Sequence, residues 1–305
     1  MTRRTFLAST AIAVLHGCAQ TGGPKGRVLS WGQSGTREGM FIRPRAVGAT
    51  ATEVYVADTS GRIQVFDHEG AFKRKWSTPS AENGTPTSVT FAGDGRVLIP
   101  DTHYSHILEY SPEGQLLRQW GSNGTGPGEF VYPTDIAEAP DGTLYLSEYG
   151  TGAERVQVFD GKGGYLRNWG KHGENPGEFS RPMAIAFAND VVYVCDTANH
   201  RIQCFTPDGK FIRVMGGAGS EPGRLKFPHD LAFAPGEALV VCEYGNNRLS
   251  IFGLDGTFRS CFGSPGRNPG QFAAPRGIAI APNGHLFVAD TDNDRIQRFD
   301  WEEVA

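Results

Sequence analysis

The stretch Asp196-Thr197-Ala198-Asn199-His200-Arg201-Ile202-Gln203-Cys204-Phe205 decides the fold, because the chain repeats its pattern. It returns as Asp290-Thr291-Asp292-Asn293-Asp294-Arg295-Ile296-Gln297-Arg298-Phe299. In both copies a hydrophobic strand ends at the acidic residue, a short turn follows, and the next strand begins at the arginine. Self-similarity of this kind indicates a repeat architecture.

The acidic residue that ends such a strand occurs six times. Its spacings are 43, 47, 48, 47 and 47 residues, and the six positions are Asp58, Asp101, Glu148, Asp196, Glu243 and Asp290. A period of this length matches one four-stranded propeller blade. Each period also holds a first strand that follows a proline and a fourth strand that ends in Trp-Gly or a close variant, as at Trp120-Gly121. The sequence therefore predicts an all-β fold, a six-bladed β-propeller of four-stranded antiparallel blades.

The last repeat lacks a fourth strand, because the chain reaches Ala305 soon after Phe299. Residues 26–32, Gly-Arg-Val-Leu-Ser-Trp-Gly, read like every other fourth strand. We expect them to complete the sixth blade, which would close the ring and remove its open edge. Residues 19–305 are then expected to form a single propeller domain.

These patterns resemble the NHL repeat. The joint Trp-Gly-x-x-Gly-x-x-Pro-Gly-x-Phe at residues 120–130 and 169–179 strengthens the resemblance, which covers about residues 26–300. It implies a propeller fold. It implies little about function, since such propellers include protein-binding and RNA-binding platforms, scaffolds and one metal-dependent lyase.

Composition excludes several other classes of protein. Gly and Pro, 41 and 19 of 305 residues, leave little room for long helices, and no stretch approaches the ~20 apolar residues of a membrane-spanning helix. The formal charge is −4, and removal of residues 1–17 would make it −6. We therefore expect no nucleic acid as a partner.

Residues 1–18 read as an export signal rather than as part of the fold. Arg3 and Arg4 precede a short apolar run, which resembles the twin-arginine signal. The run ends at Gly17-Cys18, similar to the lipobox of bacterial lipoproteins, although His16 stands where a small residue is usual. We expect an exported protein, either lipid-anchored through Cys18 or soluble in the periplasm.

Four cysteines remain in the predicted domain, namely Cys195, Cys204, Cys242 and Cys261. Cys195 and Cys204 flank a tight turn in adjacent strands, so a cross-strand disulfide is one alternative. Buried free thiols are the favoured alternative, because cross-strand bridges strain disulfide geometry.

The six acidic residues, five of them followed by an arginine, invite a metal or charge-relay interpretation. A feature present once per blade is better explained as a structural fastener that accepts backbone N–H bonds or pairs with arginine. Functional residues are expected where the repeats differ.

The residue after the first-strand proline is one such position. Around the ring it is Arg45, Thr87, Thr134, Met183, His229 and Arg276. Once the ring closes, the blades that carry His229, Arg276 and Arg45 are contiguous, so these residues predict a cationic arc at the channel mouth. Such an arc suits a carboxylate or phosphate. The alternative is that these arginines pair with Asp135, Asp230 or other nearby acids.

The loop after the second strand is another variable position. Blades 3 and 5 carry Glu148-Tyr149-Gly150 and Glu243-Tyr244-Gly245, whose tyrosines are candidate ligand platforms or acid–base groups, or else lids on neighbouring loops. Blade 2 carries His103 and His106, whose spacing binds metal only if the loop curls.

The lyase branch of the family, peptidyl-α-hydroxyglycine α-amidating lyase, provides a specific test for an enzyme. The resemblance implies zinc-binding histidines in Pro-His-x-Leu motifs on alternate blades. Pro228-His229-Asp230-Leu231 matches, but the equivalents Pro44-Arg45 and Pro133-Thr134 do not. One imidazole does not make a tight zinc site. We therefore expect no cofactor and no catalytic set, with a divalent metal at His229 as the alternative.

The sequence thus predicts a monomeric binding or scaffolding module at the cell envelope. Its ligand is expected to be a protein, a peptide or a small anion. The candidate ligand-binding residues are Arg45, Thr134, Glu148, Tyr149, His229, Glu243, Tyr244 and Arg276. The alternative is an envelope enzyme, a lyase or a lactonase-like hydrolase, with its site at the channel mouth.

Overall fold

The structure, a computed structural model, describes residues 28–82 and 84–304. The expectations for residues 1–18, including Cys18, and for the first two residues of the closing strand lie outside these ranges. Within them, no helix is long and apolar enough to cross a bilayer.

Each of the six repeats folds into a four-stranded antiparallel sheet, and in five of them the strands follow chain order. The strands of blades 1 to 3 are Pro44–Ala49, Val54–Asp58, Arg62–Phe66 and Phe72–Ser77; Thr90–Phe91, Val97–Asp101, His106–Tyr110 and Leu116–Trp120; and Tyr132–Glu138, Leu144–Tyr149, Arg155–Phe159 and Tyr165–Trp169. Those of blades 4 and 5 are Pro182–Ala188, Val191–Asp196, Arg201–Phe205 and Phe211–Gly216; and Pro228–Ala234, Ala238–Glu243, Arg248–Gly253 and Phe258–Phe262.

The sixth blade takes its outer strand from the other end of the chain. Its first three strands are Gly277–Ile280, His285–Asp290 and Arg295–Asp300, and Leu29–Trp31 is the fourth. Leu29 lies opposite Arg298, and Trp31 lies opposite Ile296. The predicted six-bladed ring and its closure by the N-terminal strand are both confirmed.

Short elements complete the fold. Three 3-10 helices, Thr102–Tyr104, Thr197–Asn199 and Thr291–Asn293, follow the second strands of blades 2, 4 and 6. The helix Trp301–Val304 follows the third strand of blade 6, and Ser264–Pro265 pairs with Gln271–Phe272 in the last joint between blades.

The hydrophobic core is divided into six clusters, one between each pair of adjacent blades. The burial of the strands follows from this arrangement, because a second strand is covered by blades on both faces. Val54–Asp58 is buried throughout, whereas the outer strand Phe72–Ser77 alternates between partly buried and exposed residues.

In every blade except blade 2, the predicted fasteners hold the second strand to the following loop. Arg155, Arg201, Arg248 and Arg295 each place Nε 2.7 Å from the acidic residue of their own blade. The same acids accept backbone N–H bonds from the preceding joint, as in Ser180 N–H to Asp196 at 2.7 Å.

The joints also require glycine. Gly170 has φ +98°, and a Cβ there would lie 2.5 Å from the Phe179 ring.

The cysteines of blades 4 and 5 are not cross-linked to one another. Cys195, Cys204 and Cys242 are buried free thiols, whereas Cys261 is disulfide-bonded, so the expectation of a free thiol was wrong at that position. Cys195 lies opposite Ile202 and Cys204 lies opposite Tyr193, so the two are offset along their strands. Cys204 Sγ lies 3.6 Å from Met215 Sδ instead.

Candidate functional site

The residues that follow the first-strand prolines surround a cavity of about 280 Å³ at one end of the channel. We call it the mouth cavity. Five of the six positions contribute to its wall, namely Arg45, Thr87, Met183, His229 and Arg276. The remaining lining residues come from the loops after the second strands and from the ends of two joints: Thr102, His103, Tyr149, Thr197, Ala198, Tyr244, Arg181 and Phe227. The propeller topology thus brings residues that are far apart in sequence into one wall.

Arg276 connects the wall residues of blades 5 and 6. Its Nη1 lies 3.1 Å from Nε2 of His229, and its guanidinium lies over the Tyr244 ring, 4.7 Å from the centroid. Because a guanidinium has only donors, His229 accepts this bond at Nε2 and carries its proton at Nδ1. A second cation–π pair places Arg181 5.1 Å from the centroid of Tyr149.

His229 is uncharged in this setting. Burial lowers its pKa well below the usual range, and the positive charges of Arg276 and Arg45 lower it further. The imidazole therefore supplies hydrogen bonds rather than charge to the mouth cavity.

Arg45 is influenced by three other positive charges. Burial, followed by the charge of Arg276, lowers its pKa to about 10, and Arg43 and Arg181 act in the same direction. Arg276 also has a lowered pKa, chiefly because of burial. Within the described residues, no carboxylate forms an ion pair with Arg45, Arg181 or Arg276. The mouth cavity thus holds three guanidinium groups without a counter-charge of their own.

Asp135 and Asp230, the acids that the sequence offered as alternative partners, are occupied elsewhere. Asp230 accepts the N–H groups of Leu231 at 2.8 Å and of Ile278 at 2.7 Å. Asp135 accepts the N–H of Ile185 at 2.9 Å and also a bond from Ser88. Both carboxyls are deeply buried, and burial raises their pKa, that of Asp135 to about 6. They fasten neighbouring first strands and do not neutralise the arginines.

Three of the residues predicted for ligand binding do not line the mouth cavity. Thr134 is completely buried, and its hydroxyl contacts Ser147 and the carbonyl of Pro182. Glu148 and Glu243 are also fully buried and form ion pairs with the arginines of their own blades. Their carboxylates are therefore structural, and it is the neighbouring tyrosines that reach the cavity.

Two wall residues at the ends of joints, Arg181 and Phe227, were not expected from the sequence. Each stands immediately before a first-strand proline and has a left-handed backbone, with φ of 52° and 49°. Their N–H groups are held by the preceding blade, Arg181 by Glu154 at 2.8 Å and Phe227 by His200 Nδ1 at 3.0 Å. A comparison of the residues on both sides of each proline would have found them.

His103 and His106 have different surroundings. His103 lines the mouth cavity and packs on Tyr132, with ring centroids 5.4 Å apart. His106 begins the third strand of blade 2, opposite Asp101, and is not a wall residue. Among residues 28–82 and 84–304, no three His, Cys, Asp or Glu side chains are grouped so that they could hold a metal ion.

Comparison with known proteins identifies the repeat. The family model described as NHL repeat matches residues 179–205 and 272–299. These segments run from the end of a joint to the end of a third strand in blades 4 and 6. The chain is an NHL-repeat β-propeller. The resemblance seen in the sequence is confirmed.

One curated relative shares part of this NHL-repeat chain. The protein brain tumor of Drosophila melanogaster is 30% identical over 99 residues, which are 30% of this chain and 10% of that protein. The match therefore spans only a tenth of the relative's length.

Solved structures share the shape of the propeller at low identity. A virginiamycin B lyase from Staphylococcus aureus superposes with a TM-score of 0.61 at 13% identity, covering 90% of this chain and 99% of that one. An auxiliary nutrient binding protein from Bacteroides thetaiotaomicron gives 0.63 at 14% identity, covering 85% and 69%. A Bacteroides thetaiotaomicron protein of unknown function gives 0.69 at 13% identity, covering 90% and 76%. Likeness at this level of identity is a likeness of fold alone.

Proposed function

We propose that this propeller is a binding module whose mouth cavity holds a small ligand, or the end of a peptide, through a carboxylate or phosphate group. The observation that carries the proposal is the set of three guanidinium groups, the partly buried Arg45 and Arg276 and the exposed Arg181, without carboxylate partners among the described residues. Like charges gathered in a partly buried site repel one another, and an anion removes that cost.

The rest of the wall favours an anion attached to an apolar or aromatic body. Tyr149, Tyr244, Phe227 and Met183 lie beside the arginines, and they offer ring faces and a thioether. A charged head held by the arginines and a flat body packed on the rings would satisfy both parts of the cavity.

The test measures the binding of inorganic phosphate and of an aromatic carboxylate by calorimetry. Charged hydrogen bonds contribute about 1.5–3 kcal/mol each, so Arg45→Ala and Arg276→Ala are each expected to weaken binding about 10- to 100-fold. Affinity should also fall above pH 10, since the pKa of Arg45 is about 10 and its charge is lost there. Arg267→Ala, at an exposed arginine in a joint at the same end of the propeller, is the control. Equal affinity in all three variants would refute the proposal.

An enzyme is the second candidate function, because neutral His229 and the phenol of Tyr244 both lie against Arg276 in the same cavity. This is the chemistry required for acid–base work on a substrate whose developing negative charge the arginines stabilise. Mass spectrometry of a bound ligand after prolonged incubation separates the two functions. A binding module returns the ligand unchanged, whereas a lyase or hydrolase returns products.

We also propose that the protein is exported to the cell envelope, on the strength of the twin arginines and the apolar run before Cys18. Replacement of Arg3 and Arg4 together by lysine is expected to leave the protein in the cytoplasm, while Arg37→Lys should not. If Cys18 carries a lipid, Cys18→Ser should move the protein from the detergent phase to the aqueous phase on phase partition. Normal export of the double variant would contradict the proposal.

A further inference from the structure

A second cluster of polar side chains lies at the opposite end of the propeller from the mouth cavity, where blades 1 and 6 meet. His68 belongs to the turn after the third strand of blade 1, and Asn283 and His285 belong to the turn and second strand of blade 6. Nδ1 of His68 and Nδ1 of His285 are 3.0 Å apart. Nδ2 of the Asn283 carboxamide lies 3.1 Å from the first and 3.3 Å from the second. We call these residues the junction cluster.

The two imidazoles turn their Nδ1 atoms toward each other and toward Asn283. Nε2 of His68 lies 3.1 Å from the carbonyl oxygen of Thr50, which can only accept, so neutral His68 carries its hydrogen at Nε2 and presents an unprotonated Nδ1. Nε2 of His285 faces a carboxylate oxygen of Asp300 at 3.5 Å, and a hydrogen on that nitrogen leaves its Nδ1 unprotonated as well. Two such lone pairs 3.0 Å apart are stabilised by a donor or a cation between them, and Nδ2 of Asn283 is the donor in this structure.

The spacing of the three groups fits a metal ion. Ligand nitrogens or oxygens at 2.0–2.1 Å in a tetrahedral site are about 3.3 Å apart. The junction cluster has separations of 3.0, 3.1 and 3.3 Å. The carboxamide joins as a ligand when it turns to present its oxygen, at the cost of the long bond of 3.3 Å that this oxygen now accepts from His285 N–H.

We propose that the junction cluster is a site for a borderline divalent cation such as Zn²⁺, with His68 Nδ1, His285 Nδ1 and the Asn283 carboxamide oxygen as ligands and water in the fourth position. Two imidazoles and one carboxylate oxygen are a typical ligand set for such ions, and the carboxamide oxygen takes the place of the carboxylate here. Asp300 and the Thr50 carbonyl orient the rings from behind, as outer-shell partners of metal-binding histidines do.

The surroundings suit this assignment. His68 is buried and packs against Phe287, with ring centroids 5.1 Å apart, so its ring is held in place. Asn283, His285, Asp300, Glu302 and Glu303 line a cavity of about 540 Å³, which gives a cation a path from solvent past three carboxylates. Because its ligands come from blades 1 and 6, the ion would link the two blades at which the ring closes.

Asn283→Asp is the decisive variant. Asp94 and Asp141 occupy the equivalent turns of blades 2 and 3 and accept the N–H two residues ahead, so an aspartate at this position is compatible with the fold. If the carboxamide is a ligand, a carboxylate should bind Zn²⁺ more tightly, by an amount on the order of 10- to 100-fold. If Asn283 only donates hydrogen bonds to the two imidazoles, the Asn283→Asp protein should bind Zn²⁺ no more tightly than the wild type.

The measurement is a Zn²⁺ titration of the chelator-treated full-length protein, followed by calorimetry, elemental analysis and thermal unfolding. We expect one Zn²⁺ per chain and a rise in Tm on binding. His68→Ala and His285→Ala should abolish both, and Asp300→Asn should weaken binding about 10- to 100-fold. Co²⁺ in place of Zn²⁺ should give the visible absorption of a four-coordinate ion. His172→Ala, at a mostly exposed histidine in a joint, is the control and should bind as the wild type does.

Three results would overturn the proposal. One is the absence of saturable binding by the wild-type protein. Another is equal binding by His68→Ala, provided that circular dichroism shows this variant folded. The third is an Asn283→Asp protein that binds Zn²⁺ no more tightly than the wild type.

Discussion

Asp101 differs from the other five strand-ending acids in the partners of its carboxyl group. In blades 4 and 6 that carboxylate accepts bonds from an asparagine, an arginine and a glutamine. In blade 2 the same three positions hold Tyr104, His106 and Leu108. Asp101 is 2% exposed, its Oδ1 has no hydrogen-bond partner among the described residues, and burial raises its pKa to about 7.

We predict that this carboxyl makes stability depend on pH. Its pKa is higher in the folded protein than the 3.8 of an exposed aspartate, so the folded state binds more protons between these values. Stability should therefore fall as pH rises from about 4 to 7 and stay low above pH 7. Asp101→Asn should remove this dependence and stabilise the protein at pH 8 by roughly 2–4 kcal/mol, measured by urea unfolding at pH 4, 6 and 8.

Asp290→Asn in blade 6 is the matched control. That carboxylate accepts a bond from Ala273 N–H at 2.7 Å as well as those from Asn293, Arg295 and Gln297. Removal of its charge leaves the partly buried Arg295 guanidinium without its carboxylate partner, so a loss of about 3 kcal/mol at pH 8 is expected. A destabilised Asp101→Asn protein at pH 8 would show that Asp101 has a partner after all.

At the scale of an element, the short strand Leu29–Trp31 has an effect out of proportion to its length. It covers the third strand of blade 6, and Trp31 packs near Phe66 of blade 1 and Phe287 of blade 6, with centroid distances of 6.0 and 6.2 Å. Without it, Arg295–Asp300 becomes an open edge, and part of the core between blades 1 and 6 is exposed.

Truncation before residue 33 is therefore expected to lower Tm by about 10 °C, because loss of a large, partly buried aromatic together with its strand costs about 3 kcal/mol. A synthetic peptide of residues 26–33 should restore Tm in proportion to the logarithm of its concentration, as mass action requires. A peptide with the same residues in scrambled order is the control. A truncated protein that melts like the wild type would mean that the ring is sealed in some other way.

At the scale of the whole molecule, the repeat made the ring predictable from sequence. The regular spacing of the six acids indicates the number of blades. The last blade lacks a fourth strand, so it requires the strand near the N-terminus. Because every blade points its proline toward the same face, variable positions such as Arg45, His229 and Arg276 could be placed on one surface before the structure was known. Periodicity carries this information because each blade is one copy of the same unit.

What the repeat could not predict is how individual side chains turn. Thr134 occupies the same register position as Arg45, yet it is small enough to be buried beneath the wall of the mouth cavity. The contact between His68 and His285 could not be predicted for another reason, since the two residues are 217 positions apart and occupy different turns of their blades. Only ring closure brings them together, and no spacing along the chain marks such a pair.

The pairing of Leu29 with Arg298 also bears on how the protein is made. A ribosome releases the sealing segment before any blade exists, whereas its partner emerges only after the other five sheets. The N-terminal strand therefore remains unpaired until almost the whole chain has been translated. This order also distinguishes incomplete chains, because a chain that stops before Arg295 lacks the strand with which residues 29–31 pair, so its ring stays open.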